Sequence, residues 1–315
     1  MYTDITQFAI IGPTASGKSD LAISLAKQIN AHILSIDSLS IYKEIDIISA
    51  KPLHVEMQEV KHFGIDILNP DDYFSADIFI TLYQDLLSTC REENKNLIIV
   101  GGTSFYLKSL MQGLSKLPTI TNEIALHVEN KIKNNLDECY ELLNKLDTEY
   151  MKNISQNDSY RIEKAMLIYE ASGVTPTQWF KDNPAKPTIQ NLQVFNIDVD
   201  RDILRERIAK RTDKMIEAGA IDEVCYLEQK YTRAPHSMNS IGIVEILEYI
   251  DGKVTYEKMI ENISTHTAQL AKRQQTFNRT QFKDITHAPL EELEKIIFSE
   301  HLLLTQPKPM LDLLL

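Results

Sequence analysis

The most specific chemical signature in the chain is the run Gly12, Pro13, Thr14, Ala15, Ser16, Gly17, Lys18 and Ser19, which fits the phosphate-loop pattern G-x-x-x-x-G-K-[ST]. The chemistry it suits is the holding of a phosphate or diphosphate. Backbone N–H groups of such a turn converge on an anion at the positive end of a helix dipole. Lys18 adds a point charge, and the Ser19 hydroxyl can ligate Mg2+. The flanks agree: Phe8–Ile11 reads as a strand, and Leu21, Ile23, Leu25, Ala26 and Ile29 keep a helical period. The competing reading is a glycine turn that matches by accident.

Two more strand ends carry groups that could act on what the loop holds. Ser35-Ile36-Asp37-Ser38 closes the second strand, which puts Asp37 at the carboxyl edge of a parallel sheet, where ligands of open α/β sheets bind. Asp37 could equally be a turn former or helix N-cap. The run Leu97–Val100 continues into Gly101, Gly102 and Thr103. A phosphate-loop kinase commonly ends a neighbouring strand with an Asp that organises Mg2+. Here the position offers close backbone approach and a hydroxyl, suited to a phosphate oxygen or to capping the next helix.

The elements that must position these groups alternate in the first part of the chain. Strands are expected at Phe8–Ile11, His32–Ile36, His62–Ile67 and Leu97–Val100, and helices at Ser19–Ile29, Ala76–Cys90 and Phe105–Met111. Beyond Pro118 the pattern is helical only, ending at Ser172-Gly173 as a C-cap. A polar, proline-containing stretch, Pro176 to Pro187, follows. Leu192–Asp198 then reads as a strand, so the helical block is an insertion into the sheet domain. Helices fill 201–250 and 256–282. The expected fold class is α/β, a P-loop NTPase-like parallel sheet domain (1–118 and 188–315) with an inserted all-helical domain (119–187).

A length of 315 residues, 43% hydrophobic and 25% charged, suits a soluble globular protein with one large and one smaller domain. No apolar run approaches a membrane span, and a short apolar start that carries Asp4 argues against a signal peptide. Cys90, Cys139 and Cys225 are odd in number and far apart, which points to a reducing cytoplasm. Net charge is −12, yet 262–283 holds no Asp or Glu while Lys272, Arg273, Arg279 and Lys283 are basic. A second basic stretch runs from Arg201 through Arg205, Arg207, Lys210 and Arg211 to Lys214. Such patches are either solvated helix faces or phosphate contacts.

In order along the chain, these motifs make it resemble the tRNA dimethylallyltransferases. The resemblance runs through Gly12–Ser19, Asp37 to Tyr42, Asp46 to Pro52, His62 with Asp66, Tyr73 with Asp77, and Gly101–Thr103 with Tyr106. It continues through Leu117-Pro118, Asp158 with Arg161-Ile162, Asn239–Gly242 with Glu245, and Ala271–Gln274 with Phe277 and Arg279. The chain departs from the family at Ser40, which replaces Gln, Ser104, which replaces Gly, and Ile48-Ser49, which replace Gly-Thr. Ala268 stands in place of Arg.

The resemblance implies that the loop holds the diphosphate of dimethylallyl diphosphate, with Mg2+ as cofactor and Ser19 as its ligand. Asp37 is then the general base, and Thr103 contacts the diphosphate near the breaking bond. Arg211 supplies a further cation, with Arg207 competing for that role. The anticodon stem-loop of tRNA is the partner, contacted by Ser38, Ser40, Tyr42, Arg161, Lys272, Arg273, Gln274 and Arg279. A cytoplasmic monomer without membrane association or zinc finger is expected. A nucleotide or small-molecule kinase, or a nucleotide-gated interaction module, would account for the loop but not for the basic C-terminal helix.

Overall fold

The structure is a computed structural model that describes residues 5–305; Asp4 and the tail beyond Thr305 lie outside the described residues. Its sheet contains β1 (Gln7–Ile11), β2 (Ala31–Ser35), β3 (His62–Phe63), β4 (Asn96–Gly101), β5 (Gln193–Ile197) and β6 (Thr286–Ala288). Every pairing is parallel, in the order β3-β2-β4-β1-β5-β6. All carboxyl ends therefore share one edge. That edge collects the loop after β1, Asp37 after β2 and Gly101–Thr103 at the end of β4.

Helices α1 (Lys18–Gln28), α2 (His54–Met57), α3 (Ala76–Glu92) and α4 (Ser104–Gln112) accompany the first strands. Between β4 and β5 come α5 (Asn122–Leu146), α6 (Thr148–Met151), α7 (Ser159–Ser172) and α8 (Pro176–Asp182). Between β5 and β6 lie α9 (Arg201–Glu217), α10 (Ala220–Tyr231), α11 (Ile243–Ile250) and α12 (Tyr256–Gln281), and α13 (Leu290–Thr305) follows β6.

Strands buried on both faces need continuous apolar runs, and the central strands have them. Phe8 and Ile10 of β1, with Phe195 and Ile197 of β5, pack against Leu21 and Leu25 of α1 and Leu293 and Ile297 of α13. The rings of Phe8 and Phe195 meet edge to face, 5.7 Å between centroids. From the other face α3 buries Phe79, Tyr83 and Leu86, and the Tyr83 hydroxyl donates to Gln7 Oε1 at 2.8 Å. A second core joins Ile41, Tyr42, Ile45 and Ile48 to Val224 and Leu227 of α10, Ile246 of α11 and Ile263 of α12.

The chain divides into two compact units, one of Met1–Ser109 with Ile189–Leu315, the other of Leu110–Thr188. The second is helical and has its own core of Val128, Cys139, Leu143, Met151, Ile162 and Met166. Buried Asp147 accepts the N–H of Tyr150 and both the N–H and hydroxyl of Thr177, which ties α6 to α8. This unit starts at Leu110 rather than 119. Its two ends are stitched together, with Thr188 N–H donating to Leu110 O at 2.8 Å.

Three expectations are corrected. The strand begun at His62 stops at Phe63, because Gly64 and Asp66 take positive φ (+78° and +55°) and turn the chain. Within the stretch from Pro176 to Pro187, residues 176–182 form α8, with Thr175 as N-cap and Pro176 in the first turn, where its missing N–H costs nothing. Strand β6 and helix α13 extend the sheet domain where no element was foreseen. Among the described residues no helix is long and apolar enough to cross a membrane.

Candidate active site

The loop from β1 to α1 bends through Ala15 (φ +62°) and Gly17 (φ +88°). At Gly17 the left-handed backbone favours glycine, and it brings the unpaired first N–H groups of α1 to the sheet edge. Half-buried Lys18 donates from Nζ to Pro13 O at 2.9 Å, so its ammonium lies back over the loop. Burial lowers its pKa to about 8; the negative charge of Asp37 opposes that shift and the positive charge of Arg211 adds to it.

Arg211, from α9, donates to Thr14 Oγ1 at 3.1 Å. Burial pulls its pKa down and Asp37 pulls it up. Arg207 is exposed and reaches only Ala15 O, at 3.4 Å. One helical turn separates the two, and it is Arg211 that enters the site.

Asp37 combines both roles the sequence left open. Its Oδ1 accepts the N–H groups of Leu39 (2.9 Å) and Ser40 (3.2 Å), forming its own turn, while the residue lines the cavity at the sheet edge. Thr103 Oγ1 accepts the Ser38 N–H at 3.2 Å, joining the turns after β2 and β4. Gly101 is needed for close backbone approach, since a Cβ there would stand 2.7 Å from Ile36 Cγ1 and 3.0 Å from Ile36 C. A Cβ on Gly102 would meet the movable side-chain amide of Gln274. Among the described residues the hydroxyls of Ser16 and Ser104 are buried without a hydrogen-bond partner.

Two adjoining cavities meet at Asp37. One is polar, with Lys18, Ser19, Ser35, Ser40 and His62 in its walls. The other is mixed, with Ile48, Met215, Ile241, Ile263 and Leu270 beside Ser38, Thr212, Asn239, Ser240 and Thr267. Thr14, Asp37, Ser49, Arg211 and Gln274 line both. None of His62, Ser49 and Met215 is among the expected site residues; His62 and Ser49 enter the sequence reading only through the family motifs, and Met215 not at all. The Nδ1 of His62 bonds Val60 O at 2.8 Å, and burial lowers its pKa.

Within the sheet unit, the residues expected to touch RNA divide between the sheet edge and helix α12. Gln274 is redirected: its Oε1 accepts the Thr14 N–H at 2.9 Å, so it serves the phosphate loop. Tyr42 is corrected to a core residue, 6% exposed, because its ring is needed to fill the second core. Ser40 is buried yet reaches the polar cavity, and Ser38 is exposed beside Thr103. Arg273 is exposed. Lys272 and Arg279 are exposed on α12 and line clefts with Arg201 and Arg205 of α9. Lys272 points about 200° around the helix from Gln274. Arg161 lies on α7 of the helical unit, exposed and paired with Asp158 at 2.7 Å.

A metal test follows from the donor set. Among the described residues no cluster of three His, Cys, Asp or Glu could hold an ion. The cavity offers the Ser19 hydroxyl and the Asp37 carboxylate. That set fits Mg2+ arriving with a diphosphate, since Mg2+ keeps several waters and shares substrate phosphate oxygens.

A parallel sheet that gathers a glycine loop, two cations and one carboxylate at its carboxyl edge makes this an α/β protein with its candidate site at that edge. A family model described as IPP transferase matches residues 40–281, and the chain belongs to that family of prenyl-transferring enzymes. It is 68% identical over 295 residues to the tRNA dimethylallyltransferase of Sulfurimonas denitrificans, covering 94% of this chain and 99% of the relative. Among solved structures it is similar to the tRNA isopentenylpyrophosphate transferase of Bacillus halodurans, at 28% identity and TM-score 0.69, over 94% of this chain and 95% of that one. The corresponding enzyme of Staphylococcus epidermidis gives 30% identity, TM-score 0.67, and coverage of 94% and 99%.

Proposed function

We propose that the protein transfers a dimethylallyl group from dimethylallyl diphosphate to the exocyclic N6 amine of the adenosine 3′-adjacent to the tRNA anticodon, releasing diphosphate. The observation that carries this reading is the place of Asp37, which together with Arg211 lines two adjoining cavities, one that also holds Lys18 and Ser19 and one that also holds Ile48, Ile241, Ile263 and Leu270. Family membership and the names of the relatives support the substrates.

On this reading the P-loop NTPase-like core holds a leaving group. The amine attacks the first carbon of the dimethylallyl group, and the carbon–oxygen bond to the diphosphate breaks with its electron pair going to the diphosphate. Asp37 accepts the proton the amine gives up, a service a weakly nucleophilic aromatic amine needs. Lys18, Arg211, Thr103 and the N–H groups of the phosphate loop from Ala15 to Ser19 steady the charge that gathers on the diphosphate. When bound, Mg2+ on the Ser19 hydroxyl supplies further counter-charge. The target base leaves its stack to reach Asp37, at a cost lower in a single-stranded loop. Lys272, Arg273, Arg279 and, from the inserted helical unit, Arg161 hold the anticodon arm through its phosphates. Ser38 and Ser40 lie next to the target base. The enzyme works in the cytoplasm as a monomer.

The test is incubation with dimethylallyl diphosphate or ATP, each with and without tRNA. Diphosphate release that needs both the prenyl donor and tRNA is expected. Formation of ADP with no response to the prenyl donor would overturn the proposal and establish a kinase.

A further inference from the structure

Glu223, in the first turn of α10, accepts three consecutive backbone N–H groups from a distant part of the chain. Asp46 and Ile47 donate to Oε2 at 2.9 and 2.8 Å, and Ile48 donates to Oε1 at 3.0 Å. A carboxylate that satisfies three successive amides is a charge-assisted anchor. What it anchors is a run of turns with no ladder or helix of its own to hold its shape.

That run forms a wall of the site. Ile48 lines the second cavity, and Ser49 lines both. Ile48 also fits against Gly242, where a Cβ would come within 3.1 Å of Ile48 Cδ1. The Asn239–Gly242 turn thus lies against Ile48, and Asn239, Ser240 and Ile241 line the second cavity. Lys18 and Ser19 line the polar cavity and not the second one. A separate bond from the same helix, Lys230 Nζ to Glu44 at 2.7 Å, grips the chain upstream of the wall and is solvent-exposed.

We infer that Glu223 is a positioning residue for the transfer reaction: it fixes Asp46–Ile48 so that Ile48 and Ser49 shape the space beside Asp37 where the acceptor amine meets the allylic carbon. The inference rests on the transferase reading. The carboxylate itself stays outside the two cavities and touches no reacting atom.

The experiment compares Glu223→Ala, Glu223→Gln and Lys230→Ala with the wild-type protein. For each, transfer kinetics with tRNA, pyrophosphate affinity by calorimetry and the thermal midpoint are measured. Glu223→Ala is expected to lower kcat at least tenfold with the pyrophosphate Kd within twofold of wild type. Glu223→Gln keeps one acceptor oxygen and should recover part of the loss. Lys230→Ala should lower the midpoint and leave kcat unchanged. Amide exchange at 46–48 should speed up in Glu223→Ala, a readout independent of turnover. Should Glu223→Ala fail to fold, Glu223→Gln carries the same comparison. Wild-type turnover matched by the Glu223 variants would overturn this inference alone, as would kcat and pyrophosphate binding falling together with the folded fraction. A wild-type protein that moves no prenyl group would overturn the transferase reading and the inference with it.

Discussion

Gln274 accepts the backbone N–H of Thr14 at 2.9 Å, across 260 positions of sequence. The bond ties the basic helix α12 to the loop that carries Lys18, and the same amide group fills the space above Gly102. One neutral hydrogen bond contributes about 1 kcal/mol. Gln274→Ala should therefore weaken pyrophosphate binding about fivefold by calorimetry. Gly102→Ala should be more damaging in the wild-type background than in Gln274→Ala, where the clashing amide is gone.

Asp37→Asn keeps an oxygen for the N–H groups of Leu39 and Ser40 and removes only the charge. Single-turnover transfer should fall about 10²- to 10⁴-fold, the usual worth of a general base. Pyrophosphate affinity should stay close to wild type. Near wild-type turnover would take the base role away from Asp37.

Lys18 titrates near pH 8 in the ligand-free protein because burial disfavours its charge. A bound diphosphate favours the charged form, so affinity should fall as pH rises from 7 to 9, with proton uptake on binding. Calorimetry in buffers of different ionisation heat reads that uptake, and Lys18→Met should remove the part due to Lys18. The sign for stability is opposite. Between pH 8 and about 10 the unfolded chain holds more protons than the native one, so ligand-free stability gains from this group as pH rises.

Arg211 is half-buried against Thr14, whereas Arg207 is exposed, and the two should separate cleanly in mutation. A charge-assisted bond contributes about 1.5–3 kcal/mol. Arg211→Ala should raise the KM for the prenyl donor about 10- to 100-fold, against less than about threefold for Arg207→Ala.

Lys272 and Arg279 stand on exposed parts of α12 beside Arg201 and Arg205. If each holds one RNA phosphate, Lys272→Ala and Arg279→Ala should each reduce the slope of log affinity against log salt by about one. Filter binding of an anticodon stem-loop over a range of salt measures it. Unchanged slopes would move the RNA elsewhere.

Legibility followed the range of the interaction. The phosphate loop, Asp37 and Gly101–Thr103 could be read directly, because each is a short run whose backbone geometry is set by its own residues. The resemblance assigns Gln274 to RNA within one motif with Lys272 and Arg273, yet residues adjacent on a helix point to different sides. It assigns Tyr42 there as well, though the second core claims its ring. Strand β6, with only Thr286, His287 and Ala288, is too short to show alternation, and its partner β5 supplies the pairing.

The amino-acid sequence by itself determined the parallel α/β plan, the glycine loop after β1 and the carboxylate at the neighbouring strand end, since strand period, glycine spacing and helix starts are local properties. Only the tertiary structure decided that Arg211 enters the site, that Gln274 braces the loop, and that Glu223 anchors the wall at Ile48. Each of those depends on which faces of α9, α10 and α12 meet the sheet edge, and that is settled by packing between segments far apart in the chain.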